Sequence, residues 1–204
     1  MREETHLYQK QTQIKDSGSR SEFETGAVRD IQEKKGRFDL VPLTIINYIF
    51  SNQIELYPYR ATWKLAKHFE AGSKKYGDRN WEKGIPTHCF FNSAVRHFYK
   101  YMLAIQDEPH LTACAWNLVC LIWTTDQCYM DKLPRDLLTL PHQKLSELEN
   151  GPIFNAGVEY KKCVLKYLAT FLEQGYIDDL EIAFGYCMLL LDVDTKEYEE
   201  SDES

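Results

Sequence analysis

Three carboxylates, Glu70, Asp107 and Glu108, fall on or beside stretches whose apolar residues repeat with helical spacing. Carboxylate oxygens suit hard divalent ions such as Mg2+ or Mn2+. Helical bundles build metal sites from side chains on facing helices. His110 and Asn117 add two further donors, so the candidate metal set is Glu70, Asp107, Glu108, His110 and Asn117, with the three carboxylates also the catalytic candidates. Cations accompany them. Arg29, Lys35 and Arg37 cluster with Lys34, and Lys75, Arg79 and Lys83 follow in "SKKYGDRNWEKGIP". Such side chains match phosphate oxygens. Trp81 can stack on a base, and Asn80 and His97 complete the candidate binding set. A ligand that is aromatic, anionic and metal-bound is a nucleotide. Each residue also has a plainer reading. Glu70 lies between Lys67 and Lys74 at i−3 and i+4, as a solvent-facing ion-paired residue would. Asp107 or Glu108 can cap the next helix, Asn117 can hydrogen-bond between helices, and His97 can be a satisfied core or rim residue.

The elements that must position these groups read as helices. Leu43, Ile46, Ile49 and Phe50 open a helical pattern, interrupted at "LYPYR" by Pro58. A second helix is expected from about Ala61 to Tyr76, with Trp63, Ala66, Phe69 and Ser73 on one side and Gly77 as its stop. A third is expected from about Phe90 to Ile105, carrying Phe91, Ala94, Val95, Phe98, Tyr101 and Met102. "QDEP" breaks it, and Pro109 suits the first turn of the helix that follows, from about His110 to Tyr129. That segment, with "LTACAWNLVCLIW", is apolar on nearly every face and predicts a central buried helix. Pro134 and Pro141 mark a connector, and two further helical patterns cover about 155–173 and 177–191. No alternating strand pattern of convincing length and no internal repeat is present, so the fold class is all-α, a helical bundle with flexible N- and C-terminal tails.

Composition narrows the partners. With 44% hydrophobic and 27% charged residues in 204, the chain can form one globular core. A formal charge of −7 argues against binding duplex nucleic acid, which needs a basic face. No apolar run reaches membrane-spanning length. "MREETHLYQK" lacks the apolar core of a signal peptide, so the expected location is the cytoplasm. The six cysteines form no CxxC pair and are expected to be buried free thiols.

The blocks "ETGAVRDIQEKKGRFDLVPL", "KHFEAGSKKYGDRNWEKGIP", "SAVRHFYKY" and "DEPHLTACAWNLVCLIW" occur in this order over roughly residues 23–126. In that order they resemble the signature blocks of the phage and prophage dATP/dGTP diphosphohydrolase family, which is similar in turn to the MazG-type all-α nucleoside triphosphate pyrophosphohydrolases. The resemblance implies hydrolysis of a purine dNTP, dGTP or dATP, between its α and β phosphates, with Mg2+ or Mn2+ as cofactor. It implies a role in the nucleotide pool during phage DNA synthesis, in the host cytoplasm, and a homodimer or homotetramer. One departure stands out: MazG-type enzymes use paired ExxE and ExxD motifs, whereas here Lys67 and Ser73 occupy the positions three residues either side of Glu70. The implied organisation is a flexible tail over 1–22, a nucleotide pyrophosphohydrolase core over 23–142, a helical C-terminal extension over 143–194 and an acidic tail over 195–204.

Two other readings compete. A histidine–aspartate metal site would release triphosphate instead of pyrophosphate, with His68, His97 and His110 available but no His-Asp dipeptide in the chain. A catalytically inactive nucleotide-binding or regulatory protein on the same scaffold would bind dGTP without turnover.

Overall fold

A computed structural model describes residues 18–140, 151–156 and 158–202, with residues 195–202 as backbone only. The chain separates into two compact units, Met1–Lys35 and Gly36–Ser204. In the first, strands β1 (Arg20–Glu22) and β2 (Val28–Asp30) form an antiparallel hairpin with Ser21 opposite Arg29. This corrects the strand-free reading, since three-residue strands are too short to leave an alternation in sequence. The hairpin spans position 22, where the sequence reading ended the tail.

The second unit is helical: α1 (Leu43–Ile49), α2 (Tyr59–Tyr76), α3 (Thr87–Met102), α4 (His110–Tyr129), α5 (Tyr160–Gln174) and α6 (Ile177–Asp202). The all-α expectation holds. Proline sets four of the starts: Pro42, Pro58, Pro86 and Pro109 each immediately precede a helix. A proline there sacrifices no hydrogen bond, because the first N–H groups of a helix lack intrahelical acceptors anyway. Consequently α2 and α3 begin two and three residues earlier than their apolar pattern suggests, and neither Asp107 nor Glu108 caps α4. The N-cap position is Pro109, with no side-chain cap. At the start of α2, the N–H of Ala61 instead donates to Asp192 Oδ1 of α6 at 3.0 Å.

The central helix is α4, which packs against α2, α3 and α6, while α5 packs on α6. Leu118, Val119, Cys120, Leu121 and Ile122 of α4 are fully buried. On α2 the buried stripe is Ala61, Leu65, Ala66 and Phe69, and Trp63 is 52% exposed, against the expectation that it would share that side. Met102 is also exposed. Cys114, Cys120, Cys128 and Cys187 are buried free thiols as expected, whereas Cys89 is exposed and Cys163 half-buried. The pattern read from 155 begins as helix only at Tyr160; before it, Phe154 is buried and stacks on Phe50 at 5.1 Å. Helix α6 runs on to Asp202, through most of the stretch read as an acidic tail. Pro141 and residues 142–150 of the connector lie outside the described residues. Among the described residues no helix is long and apolar enough to cross a membrane.

Candidate active site

Three helices lay polar stripes side by side. On α3 these are Ser93, His97 and Tyr101; on α2, Lys64 and His68, continued by the small Gly72; on α4, His110 and, two turns on, Asn117. Residues four apart share a helix face, so each stripe runs along one side of its helix. Ser93 and Tyr101 are therefore about 12 Å apart along the helix axis.

One end of the stripes borders a cavity of about 320 Å³, lined by Phe69, Tyr76, Asn80, Trp81, Phe90, Trp116 and Asn117 together with Ser73, Cys89 and Ser93. Its walls are aromatic because "NWEKGIP" folds back onto α2 and α4. Trp81 lies 5.6 Å from Phe69 and edge-on to Trp123 at 4.7 Å. The loop is held by ion pairs. Arg37 contacts Asp39 at 2.7 Å and Asp78 at 2.9 Å, while Arg79 contacts Glu82 at 2.6 Å and donates to the Asp39 carbonyl at 2.6 Å. The two carboxylates raise the Arg37 pKa, and Arg37 in turn holds the Asp39 carboxyl below its usual range.

The middle of the stripes holds a cluster. His97 Nδ1 lies 3.1 Å from His110 Nδ1. Glu108 Oε1 lies 3.4 Å from His97 Nδ1 and 3.6 Å from His110 Nδ1. Both histidines are buried, and Glu108 is exposed at the rim. Asp107 Oδ1 approaches His110 Nε2 to 2.5 Å, and the other Asp107 oxygen accepts from Lys100 at 2.8 Å. The Lys100 contact holds the Asp107 carboxyl below its usual range. Burial lowers the His97 and His68 pKa values, which favours neutral imidazoles with a lone pair to offer. Beyond the cluster, an open cleft is lined by Lys64, Tyr101, Glu108, His110 and Asp194.

The predicted residues divide accordingly. Glu108 and His110 come together, joined by His97, which the sequence reading gave to nucleotide contact. Among the described residues these three form the group whose ligand atoms all lie within 4.8 Å of one another. Asp107 touches His110 from behind. Glu70 is elsewhere: it is buried, and accepts from the Gly36 N–H at 2.9 Å with Lys74 at 3.4 Å. It is neither solvent-facing nor a member of the cluster. Asn117 stands about 10 Å along α4 from His110, and its amide donates to the Ala113 carbonyl at 2.8 Å within its own helix. Its offset along α4 keeps it out of the cluster, and the bond within its own helix stands in place of one between helices. Trp81 is buried as a cavity wall, and Arg37 and Arg79 are engaged by carboxylates. Asn80 lines the cavity. Lys75 and Lys83 are exposed, with the Lys75 ammonium over the Tyr76 ring at 4.9 Å. Arg29, on β2, and Lys35 belong to the first unit and are exposed there. Sequence reasoning did not assign Lys64, Tyr101 and Trp116 to the site. The i, i+4 repeats through His68 and His97 were the available signal.

Residues 25–133, just over half of the chain, match the family described as dATP/dGTP diphosphohydrolase, N-terminal. The matched stretch contains the cavity-lining residues and the whole histidine–carboxylate cluster. The chain matches no curated protein and no solved structure.

Proposed function

The chain belongs to the dATP/dGTP diphosphohydrolase family, and from that membership we propose that it hydrolyses dATP or dGTP between the α and β phosphates, yielding the monophosphate and pyrophosphate. The observation that carries this reading is the alignment of an aromatic cavity, a histidine–carboxylate cluster and a lysine-bearing cleft along the same three helices. A purine fits the cavity's chemistry. Phe69, Trp81, Phe90 and Trp116 offer aromatic surface, and Asn80, Ser73 and Ser93 offer polar contacts to its edge. The Asn117 amide is committed to Ala113, which leaves its carbonyl oxygen to accept from a purine N–H.

Phosphates extending from the cavity pass His97 and His110 and reach Lys64 and Tyr101. A divalent ion held by His97, Glu108 and His110 would neutralise charge on the triphosphate and lower the pKa of a bound water. His68 is half-buried and its ring lies 6.0 Å from that of Trp116, between cavity and cluster. Its neutral imidazole can accept a proton from the attacking water. Residues 23–142 act as the catalytic core in this proposal, and the chain works as a homodimer or homotetramer on the purine dNTP pool during phage DNA synthesis.

The test is a product analysis with each of the four dNTPs and a divalent ion, resolved by anion-exchange chromatography. Monophosphate plus pyrophosphate from dATP or dGTP, lost on adding a chelator, is the expected result. Nucleoside plus triphosphate would overturn the α–β assignment. Intact nucleotide with every ion would leave a binding protein on the same scaffold.

A further inference from the structure

We propose that His97, Glu108 and His110 form a three-ligand site for a late first-row transition ion (Co2+ or Zn2+) in preference to Mg2+, with Asp107 as the positioning residue that orients His110. The proposal names the ion of the site used above and rests on that reading of the cluster.

Geometry is the first ground. The three donor atoms form a triangle with edges of 3.1, 3.4 and 3.6 Å. Ligands about 2.0–2.1 Å from a tetrahedral ion are separated by about 3.3–3.4 Å. Octahedral Mg2+ at the same bond length places adjacent ligands about 2.9 Å apart, closer than any edge of this triangle. Donor chemistry is the second ground. Two of the three donors are imidazole nitrogens, which suit Zn2+ and its first-row neighbours, whereas Mg2+ takes oxygen donors and keeps its waters. Two histidines and one carboxylate on one side of an ion also leave positions open for phosphate oxygens or water.

The surroundings of His110 supply the third ground. Its Nε2 faces Asp107 at 2.5 Å, and Asp107 is itself held by Lys100 at 2.8 Å. The negative charge of Asp107 beside Nε2, an ion contact rather than an aligned hydrogen bond, favours the proton on that nitrogen and leaves the Nδ1 lone pair on the side of His97 and Glu108. The rival account is a plain hydrogen bond between two neutral imidazoles, which the 3.1 Å separation also permits.

The experiment uses the full-length protein after chelator treatment, without nucleotide. Titration with Co2+ is followed by visible absorption, and Mn2+, Co2+, Zn2+ and Mg2+ are compared by isothermal titration calorimetry. The expected result is one ion per chain, visible bands characteristic of low-coordinate Co2+, and Mg2+ weaker than Co2+ by about 100-fold or more. Glu108→Gln sits at the exposed rim and leaves the core intact, and Asp107→Asn removes the charge beside His110 together with an ion pair to Lys100 at the surface. Each should weaken Co2+ binding by about 10–100-fold with unchanged circular dichroism. His97→Gln should abolish the Co2+ bands. Mg2+ binding as tightly as Co2+, or no stoichiometric binding of any ion, would overturn the proposal and leave the imidazole pair as a structural hydrogen bond. Ion binding as described without dNTP turnover would leave this inference standing and defeat the proposed reaction, so the two fail separately.

Discussion

Replacing Glu70 separates a structural clamp from a metal ligand. Its Oε2 accepts the Gly36 N–H at 2.9 Å, and the next residue, Arg37, donates its own N–H to the Ala66 carbonyl at 3.0 Å. These two bonds stitch the entry of the second unit onto α2. Gly36 is required there: its φ is +88°, and an added Cβ would stand 3.1 Å from that of Ala66. A hydrogen bond to a charged acceptor contributes roughly 1.5–3 kcal/mol, against roughly 0.5–1.5 for a neutral one. Glu70→Gln keeps a carbonyl acceptor and should cost about 1 kcal/mol. Glu70→Ala strands the Gly36 N–H and opens space beside α2, and should cost about 3 kcal/mol. For a chain of this length each kcal/mol corresponds to a Tm change of about 2–4 °C, so the expected losses are about 2–4 °C and about 6–12 °C. The assay is thermal unfolding by circular dichroism beside calorimetric Co2+ binding. The clamp account requires graded Tm losses with Co2+ affinity within about threefold of the parent. Unchanged Tm in Glu70→Gln with a tenfold or greater loss of Co2+ affinity would refute it and return Glu70 to the metal site.

Three further outcomes can be checked. Burial pushes the Glu181 carboxyl up to about 8 and the Asp126 carboxyl to about 6. Both are raised above their unfolded values, so the stability they carry is full at low pH. It falls by about 1.4 kcal/mol per pH unit for each proton held only in the folded state, from about pH 4.5 through 8 for Glu181. Glu181→Gln should flatten that decline, read as Tm against pH; an unchanged slope would contradict the burial argument. Gly185→Ala would drive a methyl group into the Phe154 ring, costing about 1–3 kcal/mol by overpacking, and chemical denaturation should register a lower midpoint. Arg37→Ala frees Asp39 and Asp78 at a partly exposed site, where ion pairs contribute about 0.2–1 kcal/mol. The expected signature is a small Tm loss with a raised KM for the dNTP as the 77–84 loop loosens; an unchanged KM would mean the loop needs no such anchor.

How much of this was legible in the sequence differs by feature. Helix α4 was read at its observed bounds because "LTACAWNLVCLIW" is apolar on every face and only a central helix can bury it. The stop of α2 at Gly77 followed from local chemistry too, since a backbone at φ +87° favours glycine. The expectation of a nucleotide ligand came from residue types, the aromatic, cationic and carboxylate side chains gathered in one half of the chain, together with the family resemblance of the four blocks. Partner choice was another matter. Glu70, Asp107 and Glu108 are equivalent as carboxylates in the sequence, yet one clamps Gly36, one stands behind His110, and one joins two imidazoles. Arg37 and Arg79 read as phosphate ligands until Asp39, Asp78 and Glu82 were placed beside them. His97 and His110 are thirteen residues apart, and only the antiparallel packing of α3 on α4 closes that gap to 3.1 Å. Periodicity fixes which face of a helix is buried, because burial depends on each helix's own pattern. Which side chains meet depends on the rotation and offset of one helix against another, and those are set by the packing of the whole core.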